Sequence, residues 1–233
     1  MIYLTHTFPS WSEEDRAAVP ITDTDARIFA AANEVLDRFV ATLPADPLRL
    51  ARLYGVRVLP LSWYEDRGLP SAELFQVWGN VDGVASKQDN TYTINYNDRA
   101  PHHRARFTLT EELMHILLGH VNDPRFSVWS QDYSADIYQA YENEAKTAAG
   151  LVLFPASLWE RHQRASDRAI SKVCDLSTAC VYTTRKYYEE HESLVRSAAT
   201  HKRLIYNQDA LRSSIPYRGP ISVWPAAGER YAL

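Results

Sequence analysis

The stretch Arg106-Phe107-Thr108-Leu109-Thr110-Glu111-Glu112-Leu113-Met114-His115-Ile116-Leu117-Leu118-Gly119-His120 decides how this chain is read. Its apolar spacing predicts a helix over about Phe107 to Leu118, with Gly119 as the stop. On that helix, positions 111 and 115 lie one turn apart on one face, and Glu112 lies three residues before His115 on the adjoining edge. Three metal-competent side chains therefore converge from a single helical turn. Leu113, Met114, Ile116, Leu117 and Leu118 surround them with an apolar body, so the carboxylates need partners in a largely buried helix. An ion is the economical partner.

Outward toward the C-terminus, a second helix is predicted over about Ala135 to Leu153, closed by Pro155. It carries Glu142 and Glu144, followed by Ala145, Ala148, Ala149 and Gly150. These small residues let another helix approach closely, which makes Glu142 a candidate third ligand. Taken alone, a Glu-Glu-x-x-His string reads as a solvated helix face, because the zinc motif it imitates has His at both ends. A di-iron bundle, the other use of Glu112-x-x-His115, wants a second Glu-x-x-His, and the chain has none.

Outward toward the N-terminus, Thr22, Asp23 and Thr24 offer caps for a helix in which Ile28, Ala32, Leu36, Phe39 and Leu43 recur until Pro44. A short helix follows over Pro47 to Tyr54, stopped by Gly55. Val56 and Val58, Leu74 to Trp78, Val84 to Lys87 and Thr91 to Tyr96 read as short strands. The polar turn Gln88-Asp89-Asn90 joins the last two, which predicts a small antiparallel sheet. Beyond Pro155 come a turn of helix over Leu158 to Gln163 and a helix pair, Asp167 to Cys174 and Ser177 to Glu190, with Ser177 as an N-cap. The pair superficially resembles a helix-turn-helix. Its second helix offers only Arg185 and Lys186 beside Glu189 and Glu190, so two packing helices are the favoured reading. His102, His103 and His120 are read as surface or helix-end residues, although His102 and His103 offer a replacement ligand. The expected fold class is α+β, mostly helical with a small sheet and a C-terminal helix pair. The expected organisation is an arm over 1–20, the main domain over 21–155, a helical subdomain over 156–199 and a tail over 200–233.

Composition agrees with a folded chain: 233 residues, 45% hydrophobic and 23% charged, with 14 Tyr and 6 Trp. The net charge of −4 and a pI near 6.1 supply no positive field for phosphates or an anionic membrane. Direct nucleic-acid binding is not expected. Met1 to Ser10 lacks a basic segment leading into an apolar run, and no stretch approaches the roughly 18 apolar residues of a spanning helix, so a cytoplasmic location is expected. Cys174 and Cys180, six apart, match no common zinc clip and read as packed thiols.

With these residues in view, the chain resembles the ImmA/IrrE metallopeptidases, whose signature runs Arg-Phe-Thr-Leu-Ala-His-Glu-Leu-Gly-His, then Glu-x-x-Ala and an apolar stretch closed by Pro. Here Glu142-x-x-Ala145 and Leu151-Val152-Leu153-Phe154-Pro155 fit the second element. The order of helix, short helix, strand, hairpin and motif helix fits as well, over about residues 25 to 190. The resemblance implies a zincin-like fold, a zinc ion on His115 and Glu142, and Glu112 as the general base that takes a proton from the attacking water. It also implies a protein or peptide substrate, commonly a helix-turn-helix repressor of stress-response or mobile-element genes. A sheet edge near Trp78 to Lys87 would hold that peptide extended.

The departure lies at Glu111, which stands where the family has its first zinc-binding His, and at Met114, which replaces a Gly. Carboxylate oxygen binds zinc at about 2.0–2.2 Å, so Glu111 keeps a site geometrically feasible. The electrostatics change: one His and two carboxylates bring a divalent centre near neutral, where two His and one carboxylate leave it formally positive. A less positive centre acidifies water less and favours harder ions such as Mn or Mg over Zn. The expected function is a metal-dependent endopeptidase acting on a regulatory protein. The alternative is a catalytically impaired module that binds its partner without cutting.

Overall fold

A computed structural model describes residues 22–79, 81–126, 133–198 and 203–212. The predicted arm over 1–20 and the tail beyond residue 212 lie outside the described residues. Helix α1 (Asp23–Phe39) begins with a capping box, in which the Thr22 side chain accepts from the Asp25 amide and Asp25 bonds back to Thr22. Its stripe Ile28, Phe29, Ala32, Val35 and Leu36 is buried. Asp46 caps α2 (Pro47–Leu53), with Pro47 at its first turn and Gly55 in the left-handed region just past its end, at φ 69°.

Strand β1 (Arg57–Pro60) leads into the short helices α3 (Leu61–Glu65) and α4 (Ser71–Val77). The strand expected over Leu74 to Trp78 is therefore helical. Ala72, Glu73 and Leu74 after Pro70 make a better helix start than a strand, and a short apolar run does not distinguish the two by itself. No residue of α4 is buried, so no strand partner overrides the local preference. Strands β2 (Gly83–Gln88) and β3 (Thr91–Tyr96) form the expected antiparallel hairpin, turning at Asp89 with φ 53°. β1 joins β3 in parallel, Val58 opposite Ile94, so the sheet is mixed, in the order β1-β3-β2. β2 is an edge strand.

The motif helix, α5 (His102–Leu117), begins earlier than the periodicity indicated and stops where Gly119 turns left-handed at φ 82°. One face of α5 lies under β2 and β3, and the other packs against α6 (Ala135–Leu153), which in turn covers α1. Ala145, Ala148 and Ala149 of α6 are fully buried, as close helix packing requires. Gly150 instead meets α9, where an added Cβ would stand 2.6 Å from the Thr184 hydroxyl. Arg106 fixes the start of the motif: its guanidinium donates to the carbonyls of Ala45 (2.7 Å) and Asp175 (3.1 Å).

Helices α7 (Ala156–Arg161), α8 (Asp167–Cys174), α9 (Thr178–Glu190), α10 (Glu192–Ala198) and α11 (Asp209–Arg212) complete the described chain. Ser166 and Ser177 cap α8 and α9. Trp159, Ile170, Val181 and Tyr188 share one apolar cluster with the α1, α5 and α6 core. Arg185 is buried, with its guanidinium donating to Asp167 at 2.8 Å and to the carbonyls of Gln163 and Ala165. That side chain is a packing element of the helix pair. Cys174 and Cys180 are free thiols, the first buried and the second half-buried. No helix among the described residues is long and apolar enough to cross a membrane.

Candidate metal centre

Glu111 and His115 sit on the buried face of α5, one turn apart, and α6 presents Glu142 to them. One potential ligand atom from each of the three lies within 4.8 Å of the others. His115 Nε2 stands 3.4 Å from Glu142 Oε1. Two ligand atoms each about 2.1 Å from a tetrahedral ion lie about 3.4 Å apart. The His115–Glu142 pair has that spacing, and the donor set of one imidazole and two carboxylates suits a divalent ion in its chemistry.

Glu112, outside that triangle, is held by the sheet. Its carboxylate accepts a 2.6 Å hydrogen bond from the Ala85 amide, on the free edge of β2. Gly83 permits this approach, because a Cβ there would stand 2.4 Å from Thr108 Cγ2 and 3.0 Å from Glu112 Cγ. Trp78 caps the helix at 71–77 and β2 begins only at Gly83, so the edge available to an extended chain is the strand Gly83–Gln88.

Residues 74–189 match the sequence model of the IrrE N-terminal-like domain. The chain carries an ImmA/IrrE-family metallopeptidase domain. The match takes in the hairpin, α5, α6 and the helix pair. The two N-terminal helices that the resemblance also included precede it. A search among curated proteins finds no match.

In this ImmA/IrrE domain, burial pushes Glu111 up to about 7, with Lys146 pulling the other way and Glu142 adding to the rise. Burial likewise drives Glu112 well above the usual carboxylate range, with Glu111 and Glu142 adding and the Ala85 amide opposing. Burial would raise Glu142 too, but hydrogen bonds from His115 and Lys146 outweigh it and hold Glu142 at about 2. The cluster therefore combines an ionised carboxylate on α6 with proton-holding ones on α5, and an entering cation would displace those protons.

Four further residues shape the site, and sequence reasoning gave none of them this role. Lys146 reaches Glu142 at 2.8 Å and Glu111 at 3.7 Å, so a protein cation bridges two of the three donors. Tyr138 hydrogen-bonds Glu142, and burial together with Glu142 raises its phenol above the ordinary range. Both stand four residues from Glu142, a spacing that could have found them. His120 is buried and contacts His115, and Glu144 contacts His120. No helical spacing reports these two contacts, because the chain reverses at Gly119. His102 and His103 stay on the surface, both against Asp175, and do not reach the centre.

Proposed function

We propose that this chain is a metal-dependent endopeptidase in which Glu111, His115 and Glu142 hold a divalent ion and Glu112 is the general base. The observation that carries the reading is the convergence of one imidazole and two carboxylates from two helices, with a third carboxylate beside them at a strand edge. A divalent ion held there would polarise a peptide carbonyl and acidify a water. The edge of β2 would hold the substrate backbone extended. Glu112 would take the proton of the attacking water on its carboxylate and pass it to the leaving amide nitrogen. Zinc is the family's metal, and the second carboxylate shifts preference toward Mn or Mg. The substrate class that the family suggests is a helix-turn-helix repressor acting in the cytoplasm.

A second reading, a module that binds its partner without cutting, is favoured by Lys146, whose ammonium already bridges Glu111 and Glu142. Metal analysis of protein purified without chelator, beside Glu111→His, separates the two. Stoichiometric metal in the wild type, together with peptide hydrolysis abolished by Glu112→Gln, supports the peptidase. Metal and hydrolysis in Glu111→His alone supports the binding module. Metal in neither protein removes the basis of the site.

A further inference from the structure

Past Gly119 the chain turns back under α5 and buries His120, which is 1% exposed, directly against His115. The two Nδ1 atoms are 3.0 Å apart. The far nitrogen of His120, Nε2, lies 3.0 Å from Glu144 Oε2. Glu144 is in turn paired with Arg27 of α1. The Tyr141 ring stacks on His120 with centroids 4.1 Å apart and planes 1° from parallel, and the Tyr141 hydroxyl donates to Asp123 at 2.9 Å. The His120 ring is thus held by α5 through His115 and by α6 through Glu144 and Tyr141.

This chain of contacts dictates where the protons sit. A carboxylate ion-paired to Arg27 is an acceptor only, so His120 must carry a proton on Nε2. A neutral His120 then has a lone pair on Nδ1, and the short Nδ1–Nδ1 contact requires His115 to donate from its own Nδ1. The other nitrogen of His115, Nε2, faces Glu142 Oε1, the direction in which a ligand must point: it donates to that carboxylate, and an ion would take the proton's place.

We propose that His120 is a positioning residue that fixes the tautomer and ring plane of His115, with Glu144 and Arg27 as its anchor. Hydrogen-bond partners of metal-binding imidazoles act in this way, and their loss commonly lowers metal affinity roughly 10–100-fold. The proposal rests on His115 being a ligand in the site described above, but its first test needs no metal.

Long-range ¹⁵N–¹H spectra of the metal-free full chain should show His115 protonated on Nδ1 and His120 on Nε2. A bare Nδ1 on His115, or a proton on Nδ1 of His120, overturns the proposal. Titration with Zn²⁺ or Mn²⁺ alone should then show His120→Ala binding roughly 10–100-fold more weakly than wild type. His120→Asn, whose amide oxygen can stand near the position of Nδ1, should recover most of that loss. Glu144→Gln gives a check that preserves side-chain volume: an amide can accept from or donate to His120, so a mixture of tautomers should replace the single one. Wild type and His120→Ala binding an ion equally well would sink the positioning role while leaving the ion site standing. Wild type binding no ion but showing the expected tautomers would support the relay and defeat the ion site.

Discussion

Glu111 and Glu160 are both helix carboxylates with little exposure, 5% and 7%, and burial pushes both to about 7. Their surroundings differ. Glu111 faces His115 and Glu142 within ligand range and has Lys146 at 3.7 Å. Glu160 has only the charges of Arg161 and Arg196 to oppose its burial, and its Oε1 has no hydrogen-bond partner among the described residues. A raised carboxylate alone therefore marks desolvation and not chemistry. Convergence of donors from separate helices distinguishes the candidate centre from a strained packing position.

The comparison can be tested most forcefully at Glu112. If the cluster performs peptide hydrolysis, Glu112→Gln should lose roughly 10²–10⁴-fold in rate while retaining bound metal, measured by peptide cleavage and metal content. Glu160→Gln should leave hydrolysis unchanged.

The two sites also predict a pH signature. A carboxyl whose folded pKa exceeds its unfolded 4.5 imposes no penalty below pH 4.5. Between about 4.5 and 7 the unfolded chain releases its proton while the fold retains it, so stability falls as pH rises. Urea unfolding should show Glu160→Gln gaining up to about 3 kcal/mol over wild type at pH 8 and nearly nothing at pH 4. Saturating metal should remove the matching dependence due to Glu111 and leave that of Glu160 in place. An equal response of both would erase the distinction drawn here.

Smaller effects sharpen it. Glu111→His should tighten zinc binding about tenfold by supplying a second imidazole and removing a carboxylate proton that metal must displace. Lys146→Met should raise metal affinity only two- to fivefold, roughly, because its side chain is 45% exposed and its ion pairs are screened. Competition titration measures both.

Much of this architecture was legible in the residues. The caps at Thr22 and Ser177 and the stops at Gly55 and Gly119 place several helix ends, because capping is local chemistry. The 111, 112, 115 spacing places three site residues on one turn for the same reason. The run Leu74–Trp78 is helical and not a strand because a short apolar segment needs a strand partner to hold it extended, which it lacks here, and no residue of α4 is fully buried. The parallel pairing of β1 with β3 was not legible either, since alternation reports a strand but not the direction of its partner.

The sequence by itself determined that two helices carry the ligand-type side chains and that Glu111, Glu112 and His115 share one turn, since periodicity and residue identity are properties of the chain alone. Only the tertiary structure decided that Glu142 meets His115 across the α5–α6 interface and that Ala85 takes hold of Glu112 from the strand edge. It also decided that Lys146 closes the gap and that His120 folds back beneath His115. Those contacts depend on how closely elements distant in sequence approach, and on a reversal at Gly119 that no periodic pattern carries through.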